Sequence, residues 1–339
     1  VPAQCRGHGP VRAERARLAR RLLVALALAV ATVGTTAAQE PAYIRRLVLP
    51  VAEDAIGYPP GVTADLHTGE VFVCDARMNR VLVFDSEGLF LHEMPGGDAF
   101  TGPQDVAVDP DGRLVVAASH ERHPAVVELD FDGLFLREIR LSGLPDGAAE
   151  PHVGSLAVSP RGDRLYLLDQ TNLRVWISDR DGAVRASIDL AAGLSAREAR
   201  DLITGHVDVY GETVLVALPL FSQVRLFDLD GNPGPVVGMR GTAACTLAFP
   251  TAAALAGDDE LVIVDQQRML VLRWSVSSNR CLGEYIGLGD APGFLYFPMD
   301  IALDRSGQLF VSQGFEGRVQ MYRGMTPAAG PAAPRPGGP

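Results

Sequence analysis

The chain has 339 residues, 47% hydrophobic and 21% charged, a balance that excludes disorder and a membrane-embedded fold and suffices for one large core or two small ones. Its formal charge of −11 argues against a nucleic-acid surface, which needs clustered cations, so nucleic acid is not an expected partner. All 30 basic side chains are Arg, which reflects compositional bias and carries no functional weight.

Reading from the amino end, Arg-rich residues 12–21 precede an apolar run over residues 22–33 and then small residues through Ala38, the order of a secretory leader. The run is short for the ~30 Å of a bilayer's hydrocarbon core. Removal of residues 1–38 is therefore expected, with an uncleaved anchor as the alternative, and the product would be secreted or periplasmic with no membrane span. Those residues hold six Arg and one Glu, so the remainder carries −16.

Directly behind the leader, residues 44–51 read as a β-rich segment with no hairpin partner nearby. Beyond it the chain repeats. The tetrads ending at Gly88, Gly133, Gly182 and Gly231 begin at Asp85, Asp130, Asp179 and Asp228, and their glycines are spaced 45, 49 and 49 residues apart. That period is a propeller blade. Each tetrad lies between short β-rich runs, because Gly accepts positive φ and Asp bonds its own turn backbone. A second turn precedes each of the first by about 20 residues, as at Asp109-Pro110-Asp111-Gly112 and Asp304-Arg305-Ser306-Gly307.

Two hairpins per period give four strands, A to D from the inside outward. Six A–B units begin near residues 61, 105, 155, 206, 252 and 300. The sixth stops after its third strand, Arg318 to Arg323, so the segment 44–51 is expected to supply the missing outer strand and close the ring. The fold class is all-β: a six-bladed β-propeller over residues 39–324. Residues 325–339, rich in Pro, Ala and Gly, read as a flexible tail.

With the leader gone, Cys74, Cys245 and Cys281 remain, an odd number with no CxxC pair. The repeat register places Cys245 and Cys281 at opposite ends of one blade, beyond the ~7 Å Cα limit for a bridge. Free, buried thiols are expected.

The run Pro103-Gln104-Asp105-Val106-Ala107-Val108-Asp109-Pro110-Asp111-Gly112, with Val71 to Asp75 followed by Asn79 to Asp85, resembles the NHL repeat. The likeness spans roughly residues 44–324, strong in blades one to three and six and degraded in four and five. It implies a propeller that serves as a protein- or ligand-binding scaffold or, in a few relatives, as an enzyme. Peptidyl-hydroxyglycine amidating lyases are similar propellers with zinc-binding His directly after the Pro that opens several blades. Here those positions hold Pro60, Gln104, Gly205, Thr251 and Met299, and only Pro151-His152 echoes the motif. Gluconolactonase and paraoxonase relatives hold calcium through one acidic residue and Asn side chains near the channel. The four Asn here, Asn79, Asn172, Asn232 and Asn279, fall in repeat loops and opposite-face turns and make no such cage.

In such propellers the loops before strand A and after strand B share the top face. Aligning the repeats puts Gly61, Asp105, Ser155, His206, Ala252 and Asp300 in one ring before strand A. Asp105, His206 and Asp300 fall in alternate blades and could converge on a cation or polar ligand. The structural alternative is that these Asp cap neighbouring backbone amides. Asp75 with Arg80, and Asp169 with Arg174, recur at one offset and read as ion pairs inside each blade. His120 and His152 lie in top-face loops, and with His206 they are a further candidate ligand set. No GxSxG, HExxH, P-loop or GxGxxG followed by a helix occurs. The expected function is therefore an exported scaffold that binds a protein, peptide or polymer through its top-face loops, with no catalytic residue and no cofactor. The alternative is a metal-dependent propeller enzyme, lactonase- or lyase-like, with calcium or zinc at the channel mouth.

Overall fold

The four Asp-initiated tetrads turn the chain by one device. Asp85 Oδ1 accepts the amide hydrogens of Glu87 and Leu89 at 2.9 and 2.8 Å, and Asp130, Asp179 and Asp228 repeat the pattern. Each turn then needs a residue at positive φ, supplied by Gly88 at 76° and Gly133 at 83°. The computed structural model describes residues 40–51 and 54–326. The expected leader and all but the start of the expected tail lie outside the described residues.

These hairpins assemble six antiparallel four-stranded sheets. Blade one comprises β2 (Val62–Ala64), β3 (Val71–Asp75), β4 (Arg80–Phe84) and β5 (Phe90–Pro95). Blade two runs through β6 (Thr101–Val108), β7 (Leu114–His120), β8 (His123–Leu129) and β9 (Phe135–Ile139), and blade three through β10 (Val153–Val158), β11 (Arg164–Asp169), β12 (Arg174–Asp179) and β13 (Val184–Asp189). Blade four has β14 (Val207–Tyr210), β15 (Thr213–Leu218), β16 (Gln223–Asp228) and β17 (Pro233–Val237). Blade five has β18 (Pro250–Ala256), β19 (Glu260–Asp265), β20 (Leu270–Ser275) and β21 (Arg280–Tyr285). Blade six takes β22 (Pro298–Leu303), β23 (Leu309–Gln313) and β24 (Arg318–Arg323) from the carboxy end and β1 (Ala42–Arg46) from the amino end. The closing strand thus starts two residues before the expected one and is shorter, after which Leu47 and Leu49 turn inward.

Strand alternation builds the core between blades. On β3 and β4, Val71, Val73, Leu82 and Phe84 face blade six and pack with Ala302, Phe310, Val319 and Met321. Their neighbours Phe72, Cys74, Val81 and Val83 face blade two, against Val106, Leu114, Val116 and Val127. Both faces of the middle strands are buried, so these strands read as continuous apolar runs. Among the described residues no helix is long and apolar enough to cross a membrane.

Two expectations about side-chain pairing change. Cys245 and Cys281 form a disulfide, with Cα atoms 5.4 Å apart, and Cys74 is the buried free thiol. The repeat register misplaced Cys245 because the connection between β17 and β18 doubles back on itself. Leu247 donates its amide hydrogen to the Met239 carbonyl and Gly241 donates to Leu247, and the excursion lays Cys245 along β21. Of the two intrablade ion pairs, Arg80 Nε does meet Asp75 at 3.3 Å, whereas Arg174 pairs with Asp189 at 2.7 Å. The Trp176 indole takes the place of Arg174 on Asp169, donating at 2.8 Å.

Candidate binding site at the channel mouth

One residue of each blade, within strand A or just before it, rings the axis at the top face. Blades one, three and five contribute the small Gly61, Ser155 and Ala252, and blades two, four and six contribute Asp105, His206 and Asp300. Small residues in alternate positions leave the axis to the three large ones. A Cβ at position 61 would stand 2.7 Å from the Gln104 carbonyl and 3.0 Å from Asp105 Oδ1, so glycine is what lets Asp105 approach.

Both carboxylates are fixed by amides, as the structural expectation had it. Asp300 accepts from Val62 of the next blade and from Ile301, each at 2.8 Å. Asp105 accepts from Val106 and Leu156 at 2.9 Å and from the Ser155 hydroxyl at 2.6 Å. Ser155 in turn accepts the Val207 amide hydrogen at 3.0 Å, which links blades two, three and four. Replacing Ser155 by Ala is expected to cost about 1–3 kcal/mol, because a buried amide and a carboxylate oxygen lose a shared partner. Urea unfolding reads this directly, and an unchanged midpoint would remove Ser155 from its linking role.

The carboxylates also meet His206. Its Nδ1 lies 3.5 Å from Asp300 Oδ1 and 3.8 Å from Asp105 Oδ2, and the three donors stand within 4.8 Å of one another. Burial works to lower the pKa of His206, but the charges of Asp300 and Asp105 outweigh it and push it up to about 9. Burial raises Asp300 to about 6, the adjacent imidazole opposing and Asp105 reinforcing. Two further channel groups escaped the sequence reading. Asp208 and Tyr210 follow His206 on the inward face of β14, at the two-residue period of a strand. Burial, then Asp300 and Asp105, drive Asp208 well above the carboxylate range. The Tyr210 hydroxyl donates to it at 3.4 Å, over a cavity of about 100 Å³ on the side of the A–B turns.

The remaining candidates stay apart from this centre. Among the described residues, the one group of three His, Cys, Asp or Glu donors within metal-binding distance is Asp105, His206 and Asp300. His120 directs Nδ1 to the Ala99 carbonyl at 2.8 Å, and His152 is exposed, its backbone amide donating to Asp169. A second top-face feature was not foreseen. Tyr58, before strand A of blade one, meets Phe315, in the loop after strand B of blade six, with ring centroids 6.2 Å apart. Phe315 meets Phe297 at 4.9 Å, and Phe297 meets Tyr296 at 5.7 Å.

The chain is thus a six-bladed β-propeller with four-stranded blades. No family model matches it, and no curated protein matches its sequence. Among solved structures it is similar to a protein of unknown function from Bacteroides thetaiotaomicron, with TM-score 0.61 and 16% identity over 80% of this chain and 70% of that one. At that identity the likeness shows the fold alone.

Proposed function

We propose that this propeller is an NHL-type binding scaffold, exported from the cell, that receives a protein, peptide or polymer on its top face. The observation that supports the reading most is the aromatic platform of Tyr58, Tyr296, Phe297 and Phe315 where blade six meets blade one. Phe315 is 64% exposed and Tyr296 39%, part of an edge-to-face aromatic cluster on loops anchored to strands. Phe297 is held at φ 50°, a conformation that costs a non-glycine residue about 1–3 kcal/mol and that clusters at ligand-binding positions. Aromatic faces suit a polymer, since they give large contact area at low conformational cost. The disulfide supports export, because such bonds persist in oxidising compartments.

A photoreactive aromatic side chain placed at Phe315 tests this in the producing cell, with the same group at Phe131, exposed in a turn on the opposite face, as reference. Adducts are expected at position 315 alone and are expected to vanish when Tyr58 and Phe297 are changed to Ala. Equal labelling at both positions, or adducts indifferent to Tyr58 and Phe297, would refute a top-face site.

A further inference from the structure

We infer that Asp105, His206 and Asp300 hold a divalent cation of the zinc class on the propeller axis. The spacing between the donors carries the inference. Direct ion pairs in this molecule stand at 2.6 Å at Arg137–Glu128 and 2.7 Å at Arg174–Asp189, and the other histidine–carboxylate pair among the described residues, His123–Glu138, at 3.3 Å. His206 stops at 3.5 and 3.8 Å from its two carboxylates, too far for a hydrogen bond to either. Two donors bound to one zinc ion at ~2.0–2.2 Å in tetrahedral geometry stand roughly 3.3–3.6 Å apart. The His206–Asp300 separation of 3.5 Å falls in that range and the His206–Asp105 separation of 3.8 Å lies just beyond it, a small inward movement from joint ligation.

Charge points the same way. A metal-ligating imidazole is neutral, and with His206 in that form the two carboxylates beside it present two negative charges. No Lys exists in the chain to compensate them. A divalent cation balances the pair.

The donor set selects the class of ion. One imidazole nitrogen with two carboxylates suits zinc and its first-row neighbours, whereas calcium asks for six to eight oxygens, which this ring does not offer. The amides of Val62, Ile301, Val106 and Leu156 and the Ser155 hydroxyl fix both carboxylates from outside, the outer support that holds metal ligands in place. His206 is 16% exposed toward the top face, which leaves a coordination position for an outside oxygen donor. The centre goes beyond the scaffold reading, and its test is separate from that of the aromatic platform.

Tag-free protein, stripped by a chelator and dialysed, is titrated with zinc, calcium and magnesium by calorimetry and with cobalt(II) by visible absorption. Saturable binding of a single zinc equivalent and ligand-field bands with cobalt are expected, with neither calcium nor magnesium matching them. His206→Ala is expected to abolish the cobalt bands and to weaken zinc by more than the ~10–100-fold that loss of an outer hydrogen-bond partner costs. His206→Gln, which keeps the side-chain volume, gives the same loss if the Ala variant fails to fold, and His152→Ala retains both signals. Absence of saturable zinc binding in the unaltered protein, or an unchanged cobalt spectrum in the His206 variants, overturns the assignment.

Discussion

Deleting residues 42–49 is expected to abolish cooperative unfolding of the entire propeller, not only of blade six. β1 is the outer strand of that blade, with Ala42 opposite Arg323, Tyr43 opposite Tyr322 and Arg46 opposite Gln320. Immediately after it, Leu47 donates its amide hydrogen to the Val319 carbonyl and buries its side chain in the cluster between blades six and one. Leu47 is 2% exposed and Leu49 9%, and each fully buried Leu contributes about 1.5–3 kcal/mol. The two together therefore approach the ~5–15 kcal/mol that separates a folded domain from its unfolded chain. The loss also bares the β24 edge, an unpaired ladder that promotes association. Because a ring without its clasp exposes the faces of two blades, the defect spreads. A synthetic peptide of residues 40–51 added to the deleted chain is expected to restore a single thermal transition by calorimetry, and Leu47→Ala alone should cost about 2–5 kcal/mol. A deleted chain that melts at the original temperature would mean that blade six closes without this strand.

What the sequence reveals follows from how local each interaction is. The tetrads at Gly88, Gly133, Gly182 and Gly231 are legible because each Asp–Gly turn is completed within a few residues, so the blade count is written in their period. The ring of Asp105, His206 and Asp300 is legible for the same reason, since each holds one register position relative to its hairpin. Asp208 and Tyr210 were within reach by continuing the strand period from His206, a step that the degraded repeat of blade four obscured. The aromatic platform was beyond reach: Tyr58 and Phe315 are 257 positions apart in the chain and meet only because the ring closes. Asp169 shows a subtler failure, in which an indole two residues beyond Arg174 reaches the carboxylate and displaces an ion pair the spacing suggested.

Breaking the Cys245–Cys281 bridge is expected to lower stability by up to about 4 kcal/mol, the chain entropy released when a closed loop of this separation opens. The bridge joins residues 36 apart and ties the excursion between β17 and β18 to the outer strand of blade five. Its neighbours depend on that tie: Arg268 pairs with Glu284 at 2.6 Å and also donates to the Thr246 carbonyl at the same distance. Opening the bridge frees the excursion, so some of the loss should surface as faster amide exchange at Leu247 and Gly241, whose hydrogen bonds close the loop. The double variant Cys245→Ser, Cys281→Ser is the cleaner comparison, since a single substitution leaves a reactive thiol behind. Mass spectrometry after alkylation in denaturant distinguishes the two states beforehand: a bridged chain offers Cys74 as its one reactive thiol among the described residues, and a reduced one offers three. Three alkylated cysteines in freshly isolated protein, or a double variant that unfolds at the parent's denaturant midpoint, would take the bridge out of the folding balance. Blade five would then rest on its apolar faces alone, with Trp274, Leu272 and Val271 carrying the load that the covalent tie now shares.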